Sequence, residues 1–454
     1  MTALTRTVTN VTKNATKTRR RTAATAVTAA AVLALGTACS SSSGSTTAPA
    51  ATGSASGTIT WFANQFGPTS SDVRKTLIAD FEKQYPNIKV NLEQAPSDSD
   101  TYRSTLITQI SGGSSSFDVY NGDVVWPAQF GKQSLALPLN SYFDSSYWNT
   151  FSNGLVTSLT YKGQTYAVPL FTDNAFLFYR KDLLAKAHLP VPTTWEQLQS
   201  EAATLQKDGL VKYGFAAQFS SYEGLTCDFT EFAADAGGST VSSDGTKATI
   251  DSAADQKALT YMRGLITSGV APAAITTFQE QQSETLFTSG QTAFLRNWTY
   301  AYADSNTQGT SKVAGNVGVT NLPTFAGQAA PGYSVTGGWN LYINPHSKNL
   351  AADVDFLKWM TGTQAQTIIA EQGGEIPTVA SVLQNSAVQA TNPAFPIAAK
   401  NKLNARPSFV AQYSQVSAAI YNNVNAALSG STSPAAALSS ASSQINTALQ
   451  SNGL

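Results

Sequence analysis

Trp298 and Trp339 stand among polar side chains, in Arg296-Asn297-Trp298-Thr299-Tyr300 and Gly337-Gly338-Trp339-Asn340. A sugar has an apolar C–H face and a rim of hydroxyls. An indole platform beside planar Arg, Asn or Asp groups suits both surfaces. The same pattern also serves core packing, and the residues alone leave the two readings open. Asp123, in Asn121-Gly122-Asp123-Val124-Val125-Trp126-Pro127, follows an expected strand at Phe117-Asp118-Val119-Tyr120. Open α/β sheets place ligands at that carboxyl end, although an aspartate there can equally cap a turn. Asp173 falls between two expected strands, where a lobe crossing would put it beside a ligand held between lobes. Both carboxylates are expected to accept sugar hydroxyls. Trp195 and Trp359 lie among helical apolar residues and read as core.

Other chemistries find little support. His188 and His346 sit in apparent turns away from any Cys or carboxylate cluster with metal-ligand spacing, so no metal is expected. There is no G-x-S-x-G elbow, no H-E-x-x-H and no Gly-rich loop ending in Gly-Lys-Ser/Thr, so neither nucleotide hydrolysis nor a cofactor is expected. Paired carboxylates could still run a glycosidase, since that needs only two Asp or Glu across a sugar bond.

Cys39 suggests chemistry of another kind. Arg6, Lys13, Lys17, Arg19, Arg20 and Arg21 precede an uncharged, small and apolar run that ends in Leu35-Gly36-Thr37-Ala38-Cys39. A positive head, an apolar middle and a small-residue junction predict a lipoprotein signal over residues 1–38, with cleavage before Cys39 and a diacylglyceryl thioether on it. The run is too short for a comfortable transmembrane span. Ser40 to Gly57 is nearly all Ser, Thr, Gly, Ala and Pro and reads as a tether over residues 39–57, with a reach of about 20–25 Å. The protein is thus expected on the extracytoplasmic face of the cell membrane, anchored by lipid.

Six of the 28 basic residues and no acidic residue precede Cys39, leaving 22 basic against 28 acidic groups and a net charge of −6 after cleavage. That balance argues against nucleic acid as a partner. Only Cys227 then remains as a free thiol, so stability must come from the core rather than a disulfide. About 400 residues exceed what one hydrophobic core usually serves, which predicts two lobes.

The elements that would position these residues start at Thr58-Ile59-Thr60-Trp61-Phe62, a β-rich run. Val73, Leu77, Ile78 and Phe81 then recur at helical spacing behind Ser70 and Ser71 as caps. Ile88, Val90 and Leu92 alternate as on a strand. Tyr102, Leu106, Ile107 and Ile110 mark a second helix closed by Gly112-Gly113. Together with the strand ending at Tyr120, this order predicts a parallel sheet flanked by helices. Two strands, at residues 165–170 and 175–179, are expected around a break at Thr172-Asp173-Asn174. A capping box of Thr193 and Glu196 should open a second α/β region. Val317-Gly318-Val319 and Leu341-Tyr342-Ile343 read as later strands, before a mostly helical tail from about Val354.

At these residues the sequence resembles the solute-binding lipoproteins of ABC sugar importers (extracellular solute-binding protein family 1), most closely the trehalose/maltose-binding branch. The resemblance rests on the order and spacing of Phe81-Glu82-Lys83-Gln84-Tyr85-Pro86, Asp123-Val124-Val125-Trp126-Pro127, Tyr179-Arg180-Lys181-Asp182-Leu183-Leu184, Tyr222-Glu223-Gly224-Leu225, Arg296-Asn297-Trp298, Gly337-Gly338-Trp339 and Ala405-Arg406-Pro407. It implies an α/β periplasmic-binding-protein fold of the type II, maltodextrin-binding-like kind, with two α/β lobes, a hinge and an interlobe cleft. The expected lobes are residues 58–170 with 318–358, and 171–317 with 359–454. Arg103, Asp123, Asp173 and Phe171 would meet the ligand from the first lobe and the crossing. Trp298, Tyr300, Gly338 and Trp339 would form its walls, with Tyr222 and Tyr413 as further candidates. The implied function is capture of an α-linked disaccharide such as trehalose or maltose by a monomer, and its delivery to ABC permease subunits without catalysis. A glycan-acting enzyme and a sugar-sensing surface lipoprotein are the alternatives. The chain departs from the family pattern in the first loop, which offers Ser70, Ser71 and Asp72 where relatives have a glutamate, and again at Gly373-Gly374-Glu375-Ile376-Pro377.

Overall fold

A computed structural model describes residues 55–451. The expected signal segment, Cys39 and nearly all of the tether lie outside the described residues. Strand β1 (Gly57–Ala63) begins at the last residue assigned to the tether, where Gly57 pairs with Ile88.

Helix α1 (Val73–Gln84) buries Val73, Leu77 and Phe81, the face its periodicity predicts. Its cap is Asp72 rather than Ser70 or Ser71. The Asp72 carboxylate accepts from Arg74 N at 3.2 Å and from Arg74 Nε at 2.8 Å, which a serine hydroxyl could not do with charge. Strand β2 (Ile88–Gln94) and helix α2 (Ser99–Ser111) follow; α2 is capped by Asp98 and buries Tyr102, Leu106 and Ile110. Strand β3 (Val119–Asp123) and β2 flank β1 in parallel, as the strand–helix alternation predicts.

Strand β4 (Val168–Arg180) is a single strand of 13 residues and runs straight through the expected break at Thr172-Asp173-Asn174. Beyond it come α3 (Trp195–Lys207), β5 (Tyr213–Ala216), α4 (Glu223–Asp235), α5 (Ala253–Thr267), α6 (Glu280–Thr288), β6 (Thr292–Trp298), α7 (Ala301–Asn306) and β7 (Val317–Thr320). Thr194, not Thr193, caps α3, accepting from Gln197 N at 3.1 Å. Trp195 and Trp359 are buried, as expected of core tryptophans.

Strand β8 (Tyr333–Ile343) then runs antiparallel to β4, with Gly338 opposite Thr172. Helices α8 (Leu350–Met360) and α9 (Thr363–Glu371), strand β9 (Lys402–Asn404) and helices α10 (Tyr413–Leu428) and α11 (Pro434–Gln450) complete the described chain. One sheet of nine strands results, in the order β2-β1-β3-β8-β4-β6-β5, with β7 on β4 and β9 on β8. β4 and β8 therefore belong to both lobes. Residues 339–343 of β8 pair with β3, whereas residues 175–180 of β4 pair with β6 and β7.

The expected lobe boundaries do not follow this packing. β7 pairs with Leu177–Arg180 in the second lobe, although residue 318 was to open the first lobe's return. The expected boundary at 358/359 falls inside α8, and Trp359 and Ile369 share a core with Trp61, Leu77 and Phe81. Phe356 touches both Trp61 and Phe81, with ring centroids 5.4 and 5.1 Å away. On this packing we assign the returning segment of the first lobe to residues 339–371.

Candidate functional site

A cavity of about 540 Å³ lies where β4 and β8 cross between the lobes. The strand crossing supplies Phe171, Asp173, Gly337, Gly338 and Trp339 to its wall. β3 ends in Asp123, the loop after β1 brings Asn64 to Gly67, and α4 and α6 present their first turns. Of the residues expected in the site, Asp123, Phe171, Asp173, Tyr222, Trp298, Tyr300, Gly338 and Trp339 line this cavity. Arg103 and Tyr413 do not. Arg103 turns to Asp100 on its own helix at 2.9 Å, and Tyr413 is buried behind the wall, where its hydroxyl donates to Glu223.

The two tryptophans are held differently. The Arg296 guanidinium lies 4.2 Å from the centre of the Trp298 ring, and the indole Nε1 donates to Glu280 at 3.3 Å. Arg296 is itself locked by Glu231 at 2.6 Å, by Asp228 at 3.1 Å and by Gln218 at 2.8 Å, all of them buried. Trp339 is steadied by Tyr102 and by the edge of Trp126, at 6.0 and 5.8 Å between centroids. Gly338 makes this approach possible. Its φ is +119°, and a Cβ there would stand 2.4 Å from the Phe171 carbonyl oxygen.

Arg406 was not foreseen as a site residue, although the Ala405-Arg406-Pro407 segment carries it. It is buried in the cavity floor, where it donates to Asp123 Oδ1 at 2.9 Å and to Glu223 Oε1 at 2.6 Å. Burial works against its charge, but Asp123 leads the neighbours that outweigh burial and lift its pKa above the ordinary value. Asp123 is thus an ion-pair member as well as a wall residue. Burial likewise raises the Glu223 carboxyl, with Arg406 opposing.

Glu375, also unforeseen, lies in the loop that follows α9. Its Oε1 accepts from Gly67 N at 3.2 Å, reaching the loop after β1, and Oε2 has no hydrogen-bond partner among the described residues. Burial and then the neighbouring Asp173 push its pKa well above the carboxylate range. Burial lifts Asp173 itself to about 7, against the bonds its Oδ1 accepts from Thr299 and from Asn174 N, both backbone donors at 2.8 Å.

The lobes touch at the cavity mouth. Asp98 Oδ2 accepts from Gln279 Nε2 at 3.0 Å, Asp100 Oδ2 from Glu223 N at 3.1 Å, and Asp304 Oδ2 from Thr69 N at 2.9 Å. Asp100 faces the first backbone donor of the 13-residue helix α4, where a negative charge is favourable.

Residues 67–367 match the bacterial extracellular solute-binding protein family. The chain belongs to that family. Among relatives of this solute-binding protein, a probable ABC transporter-binding protein of Deinococcus radiodurans is 33% identical over 405 residues, 87% of this chain and 94% of its own. The maltose-bound MalE3 of T. maritima superposes with a TM-score of 0.81 at 32% identity, covering 86% of this chain and 99% of its own. The GacH receptor of Streptomyces glaucescens, solved unliganded and with acarbose, gives 0.77 at 27% identity over 87% and 99%. The solute-binding protein thus has the expected type II periplasmic-binding-protein fold, two α/β lobes joined by a curled sheet. Among the described residues no helix is long and apolar enough to cross a membrane.

Proposed function

We propose that this protein captures an α-linked disaccharide, maltose, trehalose or a related glucoside, in the interlobe cavity and hands it to the permease of an ABC importer. The observation that carries this reading is the pairing of two indoles, Trp298 and Trp339, with the Arg406–Asp123 ion pair around one cavity. Aromatic faces cover the apolar side of a pyranose, and the fixed charges bond its hydroxyls. A volume of about 540 Å³ falls within the ordinary range for small-ligand sites. Likeness to a maltose-bound protein over 86% of the chain supports the same reading. No bond is broken. The sugar contacts both lobes when they meet and so favours the closed arrangement.

In this reading the protein works as a monomer held to the outer face of the membrane through lipid on Cys39. Titration calorimetry of the body with maltose, trehalose, sucrose and longer glucans tests capture, and binding of none of them rejects it. Release of free glucose on long incubation would instead make the protein a hydrolase. Cys39→Ala should free the protein from the membrane fraction with its sugar affinity unchanged.

A further inference from the structure

Charge around the cavity is unevenly matched. Asp123, Asp173, Glu223, Glu280 and Glu375 face it, against a single cation among the described residues, Arg406, already committed to Asp123 and Glu223. The next cation, Arg296, is held behind Trp298 by Asp228 and Glu231, and Arg103 is held by Asp100. Asp173, Glu280 and Glu375 therefore have no salt-bridge partner among the described residues. Glu375 is 2% exposed, lines the cavity, and keeps Oε2 without a hydrogen bond. More acidic groups gather beside this trio: Glu284 lies against Asp304, with its carboxyl raised by burial, and Tyr300 sits among Glu280, Glu284, Asp304 and Glu375.

A neutral sugar can donate a hydroxyl to each carboxylate, but on excluding water it leaves their charge uncompensated, which is costly in a buried site. A proton is one remedy, and burial already favours it on Asp173 and Glu375. An ammonium group is the other, since it brings donors and charge together. We infer that the preferred ligand is a glycoside carrying a basic nitrogen, an amino or imino sugar, whose cationic centre lies against Asp173, Glu280 and Glu375. This rests on the capture reading above and narrows its ligand class. Binding of such a cation displaces the protons held by the carboxyls, so the affinity of an amine that is itself still protonated rises as pH increases through the Asp173 range, near 7. The groups that could oppose this are the Arg406 and Arg296 guanidiniums, and both are already paired.

The test compares maltose with the analogue whose reducing-end 6-hydroxyl is replaced by a primary amine, which stays largely protonated across the window, by calorimetry on the same protein at about pH 6 and about pH 8. The basic analogue should bind at least about tenfold more tightly at the higher pH. Titrations in two buffers of different protonation enthalpy should show about one proton released at the lower pH. In Glu375→Gln the ratio of the two affinities should fall toward unity, with a melting curve confirming that the variant is folded. Equal or tighter binding of maltose at both pH values, with no proton release, overturns the inference while leaving capture intact. Binding of neither compound, nor of any neutral sugar, overturns the capture reading and this inference with it.

Discussion

Arg296 and Trp298, two residues apart on β6, form a stacked pair in which the guanidinium supports one face of the indole at 4.2 Å. The arginine is 1% exposed and anchored by two acids on α4, so the ring of Trp298 is set by the second lobe's interior before any ligand meets it.

Removing that anchor should cost fold stability. Arg296→Met would leave Asp228 and Glu231 buried without their cation, and denaturant unfolding should show a loss of about 3–5 kcal/mol. An unchanged unfolding midpoint would mean that the three charged groups are not coupled.

Trp298→Ala should act mainly on binding, because the ring is only partly buried and faces the cavity. Sugar affinity should fall by about 2 kcal/mol, roughly thirtyfold. If melting drops sharply while affinity holds, Trp298 is a core residue.

Gly338→Ala combines a left-handed φ of +119° with a clash against the Phe171 carbonyl. We expect a destabilisation of about 2–3 kcal/mol, read as a lower melting temperature. A neutral outcome would show that β4 and β8 can part at this point without penalty.

The pH dependence follows from carboxyls whose pKa values rise on folding. Burial lifts Asp173 to about 7, and it lifts Asp235 and Asp353 each to about 8, against the bonds they accept. Between the ordinary carboxylate pKa, about 4, and these values the folded state holds more protons than the unfolded one. Stability contributed by these groups is therefore present near pH 4 and decreases as pH rises toward about 8. Melting temperatures across that window should decline, and Asp353→Asn should flatten part of the decline. A melting temperature that climbs steadily to pH 8 would contradict this.

Interlobe contacts should govern how long a ligand stays. Asp98→Ala removes the bond to Gln279 across the mouth, and the cap of α2 with it; it should speed sugar dissociation about fivefold, as expected for one hydrogen bond, and lower the melting temperature modestly. Stopped-flow dissociation measures it. An unaltered rate would place the limiting step elsewhere.

The first lobe was largely legible because its signals are local. The spacing of Val73, Leu77 and Phe81, and of Tyr102, Leu106 and Ile110, names the buried faces of α1 and α2 directly. β4 was not legible as one strand, since Thr172-Asp173-Asn174 resembles a turn. Those polar side chains are tolerated mid-strand because Asp173 bonds Thr299 on the segment following β6. Eight residues of the cavity wall could be named, yet Arg406 and Glu375 could not. What makes them functional is company from distant sequence: Arg406 meets Asp123 across 283 positions, and Glu375 meets Gly67 across 308. Their one local signal lay in the Ala405-Arg406-Pro407 segment and in the departure at Gly373-Gly374-Glu375. Arg103 was misplaced for the opposite reason, since its partner Asp100 lies three residues away on the same helix.

β4 and β8 have a mechanical consequence. Because each is hydrogen-bonded to the other at the crossing and continues into the sheets of both lobes, the two cannot swivel independently as a pair of slack loops could. They act as a ribbon, stiff to shear and torsion and compliant chiefly to flexing across its width. The register shift between Trp339 and Asn340, next to Gly337 and Gly338, interrupts the ladder of that ribbon, as a bulge does. A motion of one lobe against the other would have to flex this ribbon, and Trp339, which lines the cavity, sits beside its irregular point.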